Sequence, residues 1–168
     1  MRLLFSLLLA GSLGLAATAC GSTAPAAAAS AVSTPASAPL ADTLLWVTDL
    51  GEAKRLARRG DKRILAVFAG SDWCRPCKQF RAAVLDDAGF RESARGEVVV
   101  LYLDFPSKRR NQLPPDRKAH NDALAERLNP EGLFPRALLL DADGEQIREV
   151  PYKGETPADY LALLALDR

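Results

Sequence analysis

Gly70-Ser71-Asp72-Trp73-Cys74-Arg75-Pro76-Cys77-Lys78 is the stretch on which the reading of this chain turns. It follows the apolar run Ile64-Leu65-Ala66-Val67-Phe68-Ala69, which has the composition of a buried strand, and it precedes a segment with helical apolar spacing. Two cysteines therefore stand where a strand turns into a helix, one helical turn apart. A cysteine exposed at the first turn of a helix sees unpaired backbone N–H groups and the positive end of the macrodipole, so its thiolate is favoured. Cys74 is accordingly the candidate nucleophile. Cys77, on the same side, can attack a mixed disulfide formed at Cys74, release the partner reduced and close a Cys74–Cys77 disulfide. Pro76 suits a first turn because it has no N–H to leave unpaired, and Arg75 adds a positive charge beside the thiolate.

The remaining composition narrows the function. The chain has 168 residues, enough for one domain and an extension, and its 22 basic residues face 21 acidic ones. That balance gives no electrostatic case for nucleic acid. There are three cysteines, Cys20, Cys74 and Cys77, too few for a disulfide framework. The Cys74/Cys77 pair then has three readings. A zinc or copper site would lack ligands, since only His120 and Cys20 remain. A structural bridge across so short a loop removes little chain entropy. Thiol–disulfide exchange is the favoured reading, and it needs no cofactor.

Residues 1–19 run from Arg2 through Leu3-Leu4-Phe5-Ser6-Leu7-Leu8-Leu9 to Ala17-Thr18-Ala19, the layout of an export signal too short to span a bilayer. With Cys20 next, the segment resembles a bacterial lipoprotein signal, although Ala17 stands where that pattern prefers Leu. The resemblance implies cleavage before Cys20 and its lipidation; an ordinary secreted protein with a spare thiol is the alternative. Removal of residues 1–19 takes away Arg2 and no acid, which leaves the mature chain formally neutral. Residues 21–40 repeat Ala, Ser and Pro without charge or aromatic groups and read, with Cys20, as a disordered tether spanning about 25–60 Å. A domain is expected over 41–168.

Within it, Asp49 and Glu52 resemble a capping box for a helix that Gly60 ends, with Lys54, Arg55, Arg58 and Arg59 on a wet face. Trp46 reads as core. A helix from Cys77 carries Phe80, Ala83, Val84 and Leu85 inward until Asp86, Asp87 and Gly89 break it, and Phe90–Ala94 forms a short turn. Residues 97–104 read as a strand covered on both faces. The loop 105–115 carries Lys108, Arg109 and Arg110, read as solvated. Asp116 is the expected cap of a helix to Leu128 with Ala119, Ala123, Leu124 and Leu128 inward, and His120 on it is a surface residue. A hairpin turns at Asp141-Ala142-Asp143-Gly144, and Thr156-Pro157 opens a last helix buried by Tyr160, Leu161, Leu163, Leu164 and Leu166.

Trp73-Cys74-Arg75-Pro76-Cys77-Lys78, together with Phe134-Pro135 ahead of the apolar run Ala137–Leu140, resembles the thioredoxin superfamily, in particular exported thioredoxin-like proteins with a Trp-Cys-x-x-Cys-Lys active site. The pattern of elements gives an α/β fold with an antiparallel edge hairpin. The resemblance implies the thioredoxin topology, a central mixed sheet flanked by helices. It also implies that Trp73 shields the site, that Pro135 is cis, and that Trp73, Phe134 and Pro135 contact substrate. Thioredoxins carry a buried acid on the strand before the active site; Val67 and Phe68 stand there, leaving Asp72, Lys78 or water to handle the Cys77 proton. The implied protein is a lipid-anchored thiol–disulfide oxidoreductase of the bacterial cell envelope that reduces or isomerises disulfides of exported proteins and is recharged by a membrane or periplasmic reductant. The alternative is a redox-inert lipoprotein that uses the scaffold to bind a partner or metal.

Overall fold

A computed structural model describes residues 43–165; the signal segment 1–19, Cys20, the tether to residue 40, the first positions of the expected domain and Leu166 lie outside the described residues. The chain runs through β1 (Trp46–Val47), α1 (Leu50–Gly60), β2 (Arg63–Ala69), α2 (Arg75–Phe80), a π turn (Arg81–Leu85), α3 (Ala88–Ala94) and β3 (Val98–Asp104). A 3-10 turn (Arg109–Asn111), α4 (Pro115–Leu128), β4 (Arg136–Leu140), β5 (Gln146–Glu149) and α5 (Pro157–Ala165) follow. The five strands pair in the order β1-β3-β2-β4-β5, parallel among β1, β3 and β2 and antiparallel from β2 through β4 to β5. This is the mixed sheet of a thioredoxin fold.

Alternation along β2 and β3 sends side chains into two apolar layers. Leu65, Val67, Val98 and Val100 pack with Phe80, Val84, Phe90 and Tyr160 on one face. Ile64, Ala66, Phe68, Leu101 and Leu103 pack with Leu56, Leu124 and Leu128 on the other. Burying each large side chain contributes about 1.5–3 kcal/mol, so the two central strands anchor everything attached to their ends.

Several local expectations change. Asp49 caps α1 as read, its Oδ1 accepting the Glu52 N–H (2.8 Å), but the Glu52 carboxylate pairs with Arg55 instead of closing the box. The helix stops at Asp61, which takes the left-handed conformation (φ 51°), and not at Gly60. Asp87 caps α3 through the Phe90 N–H (2.8 Å), so Gly89 lies inside that helix and does not break it. The segment after α2 widens into a π turn closed by Asp86 N–H to Arg81 C=O (2.8 Å), and Ala83 faces solvent while Phe80, Val84 and Leu85 stay buried.

Asp116 does not cap α4. Pro114 precedes Pro115 in extended conformation and leaves no N–H at the first helical position to satisfy. The inward face of α4 is Asn121, Leu124 and Leu128, with Ala119 and Ala123 exposed, because Asn121 Nδ2–H donates to the Asp104 carbonyl (2.8 Å) and fixes the helix rotation. His120 is half-buried rather than on the surface: its Nε2 accepts the Leu50 N–H (3.1 Å). Trp46 sits at the sheet edge, half-buried against Tyr102, with the Arg81 guanidinium over both rings at 5.3 and 5.2 Å.

Candidate active site at the Cys74–Cys77 turn

The site begins where β2 ends. The Ala69 carbonyl accepts the Phe105 N–H (2.8 Å), tying the ends of β2 and β3 together, and the Gly70 carbonyl accepts the Cys74 N–H (2.9 Å) to make the turn. Cys74 caps α2, its Sγ accepting the Cys77 N–H at 3.2 Å, with Pro76 in the first turn as expected. The two sulfurs are joined in a disulfide, 1.99 Å long, between Cα atoms 5.3 Å apart.

Cys74 is not exposed as the sequence reading expects. It is 4% exposed and Cys77 3%. The physical reason is packing: the bonded pair lies in the apolar layer that holds Phe80, Val67 and Ala137. The turn around it is at the surface, since Trp73, Arg75 and Pro76 are all exposed.

Trp73 is 48% exposed and so is not a core aromatic. Its indole N–H donates to the Phe105 carbonyl (2.7 Å), and its ring meets Phe134 edge-on at 5.2 Å. Phe134 in turn meets Phe105 at 5.4 Å, so an aromatic row runs beside the cysteines. The indole lies so close to Gly70 that a Cβ there would stand 2.3 Å from the ring, which only glycine avoids. The Phe134–Pro135 peptide bond is cis. The segment leading to it is held by Asn129, 2% exposed, whose side-chain amide accepts the Leu133 N–H (3.0 Å) and donates to the Leu133 carbonyl (2.9 Å).

Asp72 is engaged by the loop after β3. Its carboxylate accepts the Ser107 and Lys108 N–H groups (2.9 and 3.0 Å), the Asn111 side-chain amide (2.9 Å) and the Ser107 hydroxyl (3.3 Å). These bonds, the Ser107 N–H foremost, hold its carboxyl well below the usual carboxylate range. Asp104 is likewise engaged, accepting the Ser71 N–H and hydroxyl at 2.9 and 2.7 Å. Val67 and Phe68 are buried and apolar, and Lys78 is exposed. Among the described residues no group of three or more His, Cys, Asp or Glu converges as a metal site would require.

The structure thus brings Trp73 against Phe134, ahead of the cis Pro135, and joins the two cysteines, while Gly70, Phe105, Asp104 and Asn129, to which the sequence reading assigns no role, hold the surrounding segments. A glycine at a strand end is a weak hint of close backbone approach. Asp104 and Phe105 carry no local pattern, because their partners Ser71 and Trp73 lie across the fold, and the Asn129 clamp on Leu133, though local, follows no turn motif the sequence reading used.

The Thioredoxin-like domain family matches residues 50–166 of the chain. Disulfide bond reductase DsbH of Chlamydia pneumoniae is 27% identical over 124 residues, 74% of this chain and 73% of that protein. Thioredoxin-related protein DsbJ of the same organism is 28% identical over 109 residues, 65% of this chain but 30% of that protein. Among solved structures, DsbH oxidoreductase superposes with a TM-score of 0.65 at 26% identity, covering 79% of this chain and 93% of its own. A thioredoxin from Thermus thermophilus, at TM-score 0.52 and 20% identity over 72% of this chain and 84% of its own, shares the fold. The chain therefore belongs to the Thioredoxin-like domain family, and it is a thiol–disulfide oxidoreductase.

Proposed function

We propose that the protein reduces or isomerises disulfides of exported proteins, with Cys74 as nucleophile and Cys77 as resolving thiol. The observation that carries this reading is the Cys74–Cys77 disulfide at the start of α2, where the Cys77 N–H donates to the Cys74 sulfur and would stabilise it equally as a thiolate. In the reducing direction the Cys74 thiolate attacks a client disulfide, forming a Cys74–client mixed disulfide and expelling one client thiolate. Cys77, deprotonated, then attacks the Cys74 sulfur, re-forms the intramolecular disulfide and releases the second client thiolate. Two electrons pass to the client, and a dithiol reductant must return them. Arg75, exposed beside the pair, favours the thiolate and so the reduced form, and the expected potential lies above roughly −270 mV and short of about −120 mV. Trp73, Phe134 and Pro135 form the surface that meets the client backbone.

The family relatives named as Dsb proteins support an envelope setting, and the signal-like segment 1–19 with Cys20 supports a lipid anchor through the 20–40 tether to the domain at 41–168. No helix among the described residues is long and apolar enough to cross a membrane. The test is insulin reduction by wild type and by Cys74→Ser, with the potential measured against glutathione. Loss of turnover in Cys74→Ser, and client mixed disulfides accumulating in Cys77→Ser, are expected. A wild type inert toward insulin, or an empty Cys77→Ser trap, would overturn the proposal.

A further inference from the structure

The loop after β3 was read from sequence as solvated, yet the fold pins it against the active-site turn. Asp72 gathers the Ser107 and Lys108 N–H groups and the Asn111 amide, Trp73 holds the Phe105 carbonyl, and Gln112 Nε2–H closes the loop onto the Pro106 carbonyl at 2.9 Å. Three consecutive cations, Lys108, Arg109 and Arg110, ride on this pinned segment and are exposed. Arg75 and Lys78 on α2, also exposed, flank the cysteines themselves. None of these five is paired with a carboxylate among the described residues, a state they share with Lys54, Arg91, Arg117 and Arg127; what sets them apart is their place beside the active-site turn. The nearby acids, Asp72 and Asp104, spend their oxygens on N–H and O–H groups of the same loops. A domain whose basic and acidic residues balance overall thus places five cations, against the two engaged carboxylates Asp72 and Asp104, on the segments that carry and flank its reactive pair.

Resting on the exchange activity proposed above, we infer that this rim is a docking surface for acidic client polypeptide, selecting disulfides whose cysteines are flanked by Asp or Glu. Cations with no partner of their own lose no existing ion pair when an acidic segment arrives, and fixed charges around a cleft raise encounter rates by about 10- to 1,000-fold. The occupant is a polypeptide rather than an anionic membrane surface because the cations lie on the disulfide's own helical turn and on the loop bonded to Asp72 beside the exposed Trp73, which a partner bearing a cysteine must reach while the rim is engaged.

The experiment uses the reduced wild-type protein and three uncharged-leaving-group substrates: an Asp/Glu-flanked cysteine peptide and a Lys-flanked one, each as its mixed disulfide with 2-mercaptoethanol, and bis(2-hydroxyethyl) disulfide. The expected result is that the acidic peptide reacts about tenfold or more faster than the basic one at low salt, and that the ratio collapses toward one near 1 M salt, where the screening length is about 3 Å. The triple change Lys108→Ser, Arg109→Ser, Arg110→Ser is expected to cut the low-salt ratio severalfold. Equal rates for the two peptides in wild type, a preference for the basic peptide, or a ratio unmoved by salt would each overturn the inference, as would a folded triple variant that keeps the full ratio. The wild-type salt series decides even if the variant does not fold. Binding of the protein to phosphatidylglycerol vesicles, lost in the triple variant, with no peptide preference would assign the rim to lipid and likewise overturn it. Turnover of the hydroxyethyl disulfide by wild type separates these outcomes from failure of the exchange activity itself.

Discussion

Gly70→Ala offers a sharp test of how the site is built, because its sign is opposite to the ordinary one. Gly70 does not use the left-handed region, so an alanine there meets no backbone strain and, with nothing nearby, would stabilise the domain by about 0.4–1 kcal/mol through the unfolded chain. Here the new Cβ would stand 2.3, 2.5 and 2.6 Å from Cε2, Nε1 and Cζ2 of Trp73, against the 3.5–4.0 Å of an ordinary contact. The Gly70 backbone cannot yield, since its carbonyl holds the Cys74 N–H and the preceding Ala69 carbonyl holds Phe105. The half-exposed indole must swing away, losing its bond to the Phe105 carbonyl and its edge contact with Phe134. Those two interactions are worth about 1–2 kcal/mol together, taken near the low end because the ring is partly solvated. The net expectation is a loss of about 1 kcal/mol, or a melting temperature lower by about 3–6 °C, read by circular dichroism. In a Trp73→Ala background the same substitution should instead stabilise by the ordinary few tenths to 1 kcal/mol. Gly70→Ala that stabilises the wild-type protein, or that destabilises both backgrounds alike, would refute the close-approach account.

Asp72 has its folded-state pKa depressed, so the stability it contributes is present above the unfolded value near 4 and is lost as pH falls below it; the gap between wild type and Asp72→Asn in denaturant midpoint should be widest at neutral pH and narrow through that acid range. Tyr160 is buried with its hydroxyl donating to the Val150 carbonyl (2.7 Å), and burial pushes its pKa up. Its neutral form is therefore stabilised up to about pH 10 and the contribution is lost above that, so Tyr160→Phe should cost about 1–2 kcal/mol at pH 7 and flatten the alkaline limb of the unfolding curve. Asn129→Ala leaves the Leu133 N–H and carbonyl without their clamp, with an expected cost of about 1–3 kcal/mol and a rise in KM for peptide disulfides that bis(2-hydroxyethyl) disulfide does not share.

What the chain announced in advance was whatever periodicity and punctuation encode locally. The β2 run, the Cys-x-x-Cys turn, the helix at Thr156-Pro157 and the hairpin at Asp141–Gly144 each depend on residues within a few positions of one another, and each was legible. The rotation of α4 was not, because it is set by a buried Asn121 bonded to Asp104 on β3, a partner 17 positions away. Nor was the π turn, whose Asp86-to-Arg81 bond looks in sequence like the ordinary end of a helix. The expected exposure of Cys74 went wrong for a different reason: the favourable placement of the sulfur at a helix start was argued for the thiolate, and the oxidised pair satisfies the same position from inside the core.

The same division separates the chemistry of this site from its selectivity. The cysteines are placed by local means, the end of a strand and the first turn of a helix, and that arrangement alone suffices for thiol–disulfide exchange. The segments around them are placed by other ties: Asp72 and Trp73 draw the loop 105–112 to the turn over more than 30 positions, and Asn129 braces Leu133 ahead of Phe134. Changes in loop residues that keep Asp72 and Asn129 engaged can therefore alter which client docks without moving either sulfur. On the proposed rim, the charge of residues 108–110 adds to that of Arg75 and Lys78, and a change at 108–110 is expected to shift the acidic-to-basic peptide ratio while leaving the rate on bis(2-hydroxyethyl) disulfide in place.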